Sequence, residues 1–295
     1  MNIIETVGLG KRYRRAWALR DCTLAIPEGH LAALVGPNGA GKTTLLHIVV
    51  GLTAPTNGDV SVLGEAPAGS PEALDGIAFV AQDMPLYQQL SVADMLHLTR
   101  NLNRDFDRDF ARRRLRDLGI AESHRTGRLS GGQQAQLALT LALARHPRLL
   151  VMDEPTARLD PVARHDFMAT AMAAMAEDGV SVLLSSHILA ELERFADYLV
   201  LITHGVVRLD GTVDELTDRH RLMTGPAGRP ADATWQVIQS SEAGAQQHLL
   251  VRVDPAQDPE PAGWQARTVG VEELALAYLR DDPITPVLAQ VGAGR

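Results

Sequence analysis

One stretch constrains this chain more than any other: GPNGAGKTT, residues 36–44. It sits between an apolar run, HLAALV, and KTTLLHIVVGL, whose spacing predicts a helix stopping near Gly51. The apolar run ends in glycine and has the texture of a buried strand. A glycine-rich turn of the form G-x-x-x-x-G-K-[ST] between strand and helix points backbone N–H groups at phosphate oxygens. Gly36, Gly39 and Gly41 permit that turn, and the helix N-terminus adds a field that favours anions. With Pro37, Asn38, Ala40 and Thr44 they make an ATP-binding loop. Lys42 is expected to reach the β- and γ-phosphates, and the Thr43 hydroxyl to ligate Mg²⁺.

A triphosphate site needs a second half, and RLLVMDEP (residues 148–155) supplies it. Asp153 ends an apolar strand, where a carboxylate can hold the Mg²⁺ shell. Glu154 follows as the candidate general base for the attacking water. Solvated acids at a strand end are the alternative, and the preceding residues are too apolar for an edge. Around these motifs, strands alternate with helices. GIAFVAQD and VSVLLSSH have the character of buried strands, QAQLALTLALARH and HDFMATAMAAMAEDG that of helices, the last closed by Gly179. Such alternation predicts an α/β fold with a mainly parallel core sheet. From Leu86 the pattern turns helical and polar, so a helical subdomain is expected over about residues 86–145.

So far the chain is a phosphate-loop NTPase of any kind. LSGGQ, residues 129–133, narrows this. Ser130, Gly131, Gly132 and Gln133 open a helix, giving a hydroxyl, free N–H groups and a dipole aimed at an anion. The chain's own phosphates are already held by the first loop. A head-to-tail pair solves this, each copy's LSGGQ covering the other copy's γ-phosphate. An ordinary N-capped helix accounts for Ser130 but not for two successive glycines.

These motifs resemble, in order and over about residues 2–222, the nucleotide-binding subunit of ATP-binding cassette (ABC) transporters. The resemblance makes GPNGAGKTT the Walker A loop, LLVMDEP the Walker B strand and LSGGQ the signature. It implies that Gln82 in FVAQD is the glutamine loop, sensing Mg²⁺ and nucleotide for a membrane partner. It makes His187 in LLSSH the switch histidine on the γ-phosphate, and Asp160 in ARLD a residue of the dimer contact. It makes Tyr13 the ring that stacks on adenine, with Trp17 as a competing aromatic. Ring stacking is physically reasonable for either. Departures stand at Gln134 and Gln136, where the family often carries basic residues, and at Arg158, where its D-loop has a small one. Slow hydrolysis without a partner is expected.

The remaining features bound the setting. A hydrophobic content of 45% supports a real core in 295 residues. The formal net charge of −8 argues against a nucleic-acid partner, which needs a basic footprint. Cys22 is the only cysteine, expected as a small buried hydrophobe. No signal peptide is expected, and the apolar runs are too short or too charged to span a bilayer. The expected place is therefore peripheral, on the cytoplasmic face of the cell membrane, beside a separately encoded permease and a second ATPase subunit. After Leu222 the texture changes. Residues 223–233 read as a linker, and 234–295 as a small α/β appendage with strands at WQVIQ and HLLVRV and a helix at VEELALAYLRD. That helix resembles the one closing many bacterial exporter ATPases. An importer ATPase and a soluble ABC ATPase are the other readings.

Overall fold

The computed structural model describes residues 1–67, 70–186, 188, 193–254 and 263–280. It divides into two compact units, Met1–Thr212 and Val213–Arg295. The first unit begins with β1 (Asn2–Tyr13), β2 (Ala16–Pro27), β3 (Leu31–Val35), α1 (Lys42–Val49) and β4 (Asn57–Val62). It continues with α2 (Pro71–Asp75), β5 (Ile77–Val80), α3 (Val92–Leu102), α4 (Arg108–Asp117) and α5 (Gly131–Leu143). It closes with β6 (Leu149–Asp153), α6 (Pro161–Asp178), β7 (Ser181–Ser186), β8 (Tyr198–Thr203) and β9 (Val206–Thr212).

The core sheet has six strands in the order β5-β6-β7-β3-β8-β9. All neighbours are parallel except the β8–β9 pair. β3, β6 and β7 are buried at every position, which is why the sequence there is mainly apolar and does not alternate. A three-stranded antiparallel sheet, β2-β1-β4, lies over α1. Leu19, Cys22, Leu24 and Ile26 of β2 join Leu34, Leu46, Val151 and Val200 in one apolar core. Burial raises the Cys22 thiol's pKa, in keeping with a packing role.

The helical subdomain has its own core, with Val92, Leu96, Leu115, Leu137 and Leu141 at its centre. Each helix there has a sequence-encoded start. Ser91 and Asp94 form a capping box on α3, Asp107 caps α4, and Ser130 and Gln133 form a second box on α5. Helix α6 is capped by Asp160, with Pro161 following it, and ends at left-handed Gly179. This is the expected cassette fold: parallel core, N-terminal β subdomain and helical signature subdomain.

The second unit contains α7 (Val213–Asp218), β10 (His220–Pro226), β11 (Gln236–Ala243), β12 (Gln246–Arg252), β13 (Gln265–Thr268) and α8 (Val271–Leu279). Its antiparallel sheet runs β11-β12-β10-β13. The break between units therefore precedes Leu222, and the expected linker starts inside β10. That strand pairs with β12 on one side and β13 on the other. The core here is Met223, Leu249, Val251 and Trp264, with Trp235 meeting Trp264 edge-on. His220 is fully buried. Its Nδ1 lies 2.6 Å from the Leu216 carbonyl and its Nε2 2.9 Å from the Tyr278 hydroxyl. A carbonyl only accepts, so Nδ1 carries the proton and Nε2 accepts from Tyr278. Burial lowers the His220 pKa, and the nearby Arg252, Arg219 and Arg221 lower it further.

The unfolded imidazole protonates near its ordinary value of about 6.5, whereas the folded one resists. The second unit should be at full strength above that pH and lose stability as pH falls through it towards the lower folded value. The limit is about 1.4 kcal/mol per pH unit for one proton. Urea midpoints read from Trp235 and Trp264 fluorescence in a Trp17→Phe background test this. His220→Gln should flatten the acid limb, and an unchanged limb would contradict it.

Candidate functional site

The loop from β3 into α1 is built from backbone. Gly41 has φ 107°, and a Cβ there would lie 2.6 Å from the Ala18 carbonyl of β2. Only glycine lets the loop press this closely on the hairpin. A cleft of about 430 Å³ opens beside it, lined by Asn38, Gly39, Ala40, Gly41, Lys42, Thr43 and Thr44, together with Ala18, Gln82 and Glu154. Lys42 folds back over the loop and donates to the Gly36 carbonyl at 2.8 Å and the Pro37 carbonyl at 3.4 Å. Its Nζ is also 3.3 Å from Glu154 Oε1, with the two side chains only 6% and 12% exposed.

The two acids are held by a residue that the sequence reading did not single out. The Ser185 hydroxyl on β7 donates to Asp153 Oδ1 at 2.6 Å and accepts from the Glu154 amide at 2.9 Å. Ser185 and Asp153 are cross-strand partners in the β6–β7 register. Glu154 has φ 44°, a left-handed backbone that costs a non-glycine residue roughly 1 kcal/mol or more. The Ser185 link holds that turn and aims the carboxylate at Lys42. The signal for Ser185 was weak: it is one of three serines in VSVLLSS, a stretch that is buried throughout. His187, one residue past β7, lies outside the described residues.

The other candidates sit elsewhere. Among the described residues, the cleft lining includes none of Tyr13, Ser130, Gly131, Gly132, Gln133 or Asp160. Tyr13 is 48% exposed near the tip of the β1–β2 hairpin, with Lys11 over its ring and Arg12 over Trp17. Ser130 and Gln133 satisfy each other: the Gln133 amide donates to Ser130 Oγ, and the Ser130 amide to Gln133 Oε1. Gly131 and Gly132 are the first two residues of α5, so their amides precede the intrahelical ladder. A Cβ on Gly132 would come within 3.0 Å of the Ala163 Cβ, so the signature loop packs on the first turn of α6. Asp160 caps that turn, accepting from the Val162 and Ala163 amides.

The departures also find partners. Gln134 donates to the Thr126 and Leu129 carbonyls, bracing the turn before the signature. Arg158 donates to Asp83, the neighbour of Gln82, at 3.0 Å, with side chains 73% and 81% exposed.

A phosphate cradle at a strand–helix turn, with an acid pair at the end of a parallel strand of the same sheet, defines a phosphate-loop NTPase. The family described as ABC transporter matches residues 19–157, and one described as AAA domain, putative AbiEii toxin, Type IV TA system matches residues 126–193. The aliphatic sulfonates import ATP-binding protein SsuB of Shigella flexneri serotype 5b is 38% identical over 210 residues, 70% of this chain and 79% of that protein. The Nod factor export ATP-binding protein I of Rhizobium sp. is 33% identical over 229 residues, 74% of this chain and 73% of that protein. Among solved structures, the dimeric post-hydrolysis state of an ATP-binding cassette bound to ADP and Pi aligns with a TM-score of 0.64 at 27% identity. That alignment covers 71% of this chain and 98% of that one. The chain belongs to the ATP-binding subunits of ABC transporters, and it binds and hydrolyses ATP. Relatives named for import and for export share this cassette.

Ser185→Ala should leave ATP binding measured without Mg²⁺ largely intact. It should lower turnover by roughly 10- to 100-fold, as loss of an outer-shell partner does at metal sites. Losing both Ser185 hydrogen bonds should also cost about 1–3 kcal/mol of stability. Fluorescent-nucleotide titration beside steady-state hydrolysis measures both, and wild-type turnover at saturating Mg²⁺ would rule out the role given to Ser185.

Proposed function

We propose that this chain powers transport, in the export direction, through a separate membrane permease, two copies closing head to tail over two ATP molecules. The single observation that carries this reading is a separation. The signature residues form an anion-directed helix start, yet they stand apart from the cleft where the same chain holds phosphate. Each half therefore needs the other half of a second copy.

In this reading the amides of the loop, with Lys42, bind the β- and γ-phosphates. Thr43, Gln82 and Asp153 offer oxygen donors only, one of them a buried carboxylate, and that set suits Mg²⁺. The ion, when bound, neutralises charge on the β- and γ-phosphate oxygens. Glu154 takes a proton from the attacking water, and an arriving γ-phosphate competes with it for Lys42. Ser130, Gly131 and Gly132 present their hydroxyl and amides to the partner's γ-phosphate, with Gln133 beside them and Asp160 at the dimer contact. His187 contacts the γ-phosphate, and Tyr13 meets the adenine from the hairpin.

The permease reading draws on a second feature. A groove of about 230 Å³ runs from β5 past the Gln82 loop, with Val80, Met84, Leu86 and Leu141 along it. A short apolar-faced helix from a permease loop fits this chemistry, and the groove's continuity with Gln82 would connect it to nucleotide state. No helix among the described residues is long and apolar enough to cross a membrane. On this reading a separate permease supplies the spans, and the cassette sits peripherally on the membrane's cytoplasmic face. Export draws on the tail helix, α8, and its resemblance to exporter ATPases.

Glu154→Gln should bind ATP and stall in the closed dimer. Tagged and recovered with ATP and Mg²⁺ from gently solubilised native membranes, it should bring down a stoichiometric multi-span protein, identified by mass spectrometry. Recovery only from the soluble fraction, alone or with ribosomal or repair proteins, would replace the transporter reading with a soluble clamp. Wild-type hydrolysis per subunit should rise with protein concentration, and a rapid, concentration-independent rate would contradict the dimer.

A further inference from the structure

Away from the cleft, one inward-facing cation is held by neutral groups. Arg114, in the last turn of α4, is half-buried. Its Nε donates to the Thr140 hydroxyl at 3.1 Å. Its Nη2 donates to Gln136 Oε1 at 2.8 Å and to the Thr170 hydroxyl at 2.7 Å. Burial lowers the guanidinium's pKa, and Asp117 opposes that shift through its charge. A charge so placed is tolerated only when hydrogen-bonded, and arginine's planar fork can serve several acceptors at once.

The acceptors lie on two different helices. Gln136 and Thr140 belong to α5, which begins at the signature. Thr170 belongs to α6, which begins at Asp160. Gly132, Gln136 and Thr140 are four residues apart and share one face of α5. Ala163 and Thr170, seven apart, share one face of α6. The two faces form a seam. At its upper end Gly132 meets Ala163, and further along Arg114 spans from Gln136 and Thr140 to Thr170.

We propose that Arg114 is a positioning residue for ATP hydrolysis, locking α5 to α6 so that the signature and Asp160 meet a second subunit's nucleotide as one rigid surface. The inference rests on the head-to-tail reading above. It also accounts for a departure: Gln136 stands where a basic residue is common in the family, and here the cation reaches that spot from α4.

The test uses the full chain with Glu154→Gln as parent, and reads ATP-driven dimerisation by sedimentation. Arg114→Gln in that background should weaken the dimer about tenfold or more, the scale of a lost hydrogen bond to a charged group. Binding of a fluorescent ATP analogue to the monomer should stay at the parent's affinity, because the phosphate loop is untouched. Returning the cation to α5 with Arg114→Gln plus Gln136→Arg should restore most of the dimer. Should Arg114→Gln unfold the nucleotide-free chain, Thr170→Val, which removes one acceptor, replaces it under the same criterion. A dimer as tight as the parent's in the variant used, or equal loss of monomer ATP binding, overturns the proposal. A parent that fails to dimerise with ATP and Mg²⁺ overturns the head-to-tail reading, and this inference with it.

Discussion

The register of four parallel strands is the constraint on which the rest of the site depends. Val35 of β3 pairs with Ser186 of β7, Asp153 of β6 with Ser185, and Val80 of β5 with Met152. Because the strands are parallel, everything that follows their carboxyl ends emerges at one edge. The phosphate loop follows β3, the Gln82 segment follows β5, and Glu154 follows β6. A one-residue slip of β6 would turn Asp153 to the other face and strand the Ser185 hydroxyl. Complete burial guards against that slip, since every position of β3, β6 and β7 is packed on both faces.

Within that edge, electrostatics sets the order of events. Lys42 and Glu154 are nearly enclosed, and each offsets the other's charge. A buried cation left alone would be costly, as would a buried carboxylate. On the proposed reading, a γ-phosphate arriving at Lys42 supplies the negative charge that Glu154 had supplied. The carboxylate is released towards water as the substrate that needs it settles. The strained Glu154 backbone, pinned through Ser185, keeps the released group at the cleft instead of letting it swing into solvent.

How much of this was legible in the sequence follows from how local each signal is. Buried parallel strands appear as apolar runs and the phosphate loop as a spaced motif, so core, loop and acid pair could be placed from short windows. The helix start at Ser130 was equally local, whereas the helix read from HDFMATAMAAMAEDG begins earlier, at Pro161 with Asp160 as its cap. Ser185 was not local, because a hydroxyl inside VSVLLSS gains meaning only when β7 lies beside Asp153. The boundary between units was missed for the same reason. HRLMTGP ends in glycine and proline and resembles the start of a linker, but pairing with β12 and β13, distant in sequence, makes it an inner strand. The residue types at Gln134 and Gln136 showed a loss of positive charge, while the cation that faces Gln136 comes from another helix.

Two arginines, Arg114 and Arg158, make a stiff link and a loose one. Arg114 joins α5 to α6 through three hydrogen bonds in a half-buried site, where solvent screens little. Arg158 joins the Asp160 loop to the Gln82 loop through one ion pair whose members are mostly in water. Such a pair contributes about 0–1 kcal/mol, and salt weakens it further. On the proposed reading the cassette closes and reopens with each ATP, and so needs strong links inside each moving piece and weak links between pieces. The placement fits that demand. In that cycle the signature and Asp160 would travel together on the stiff seam, while the contact from Arg158 to the Gln82 loop is weak enough to break and re-form.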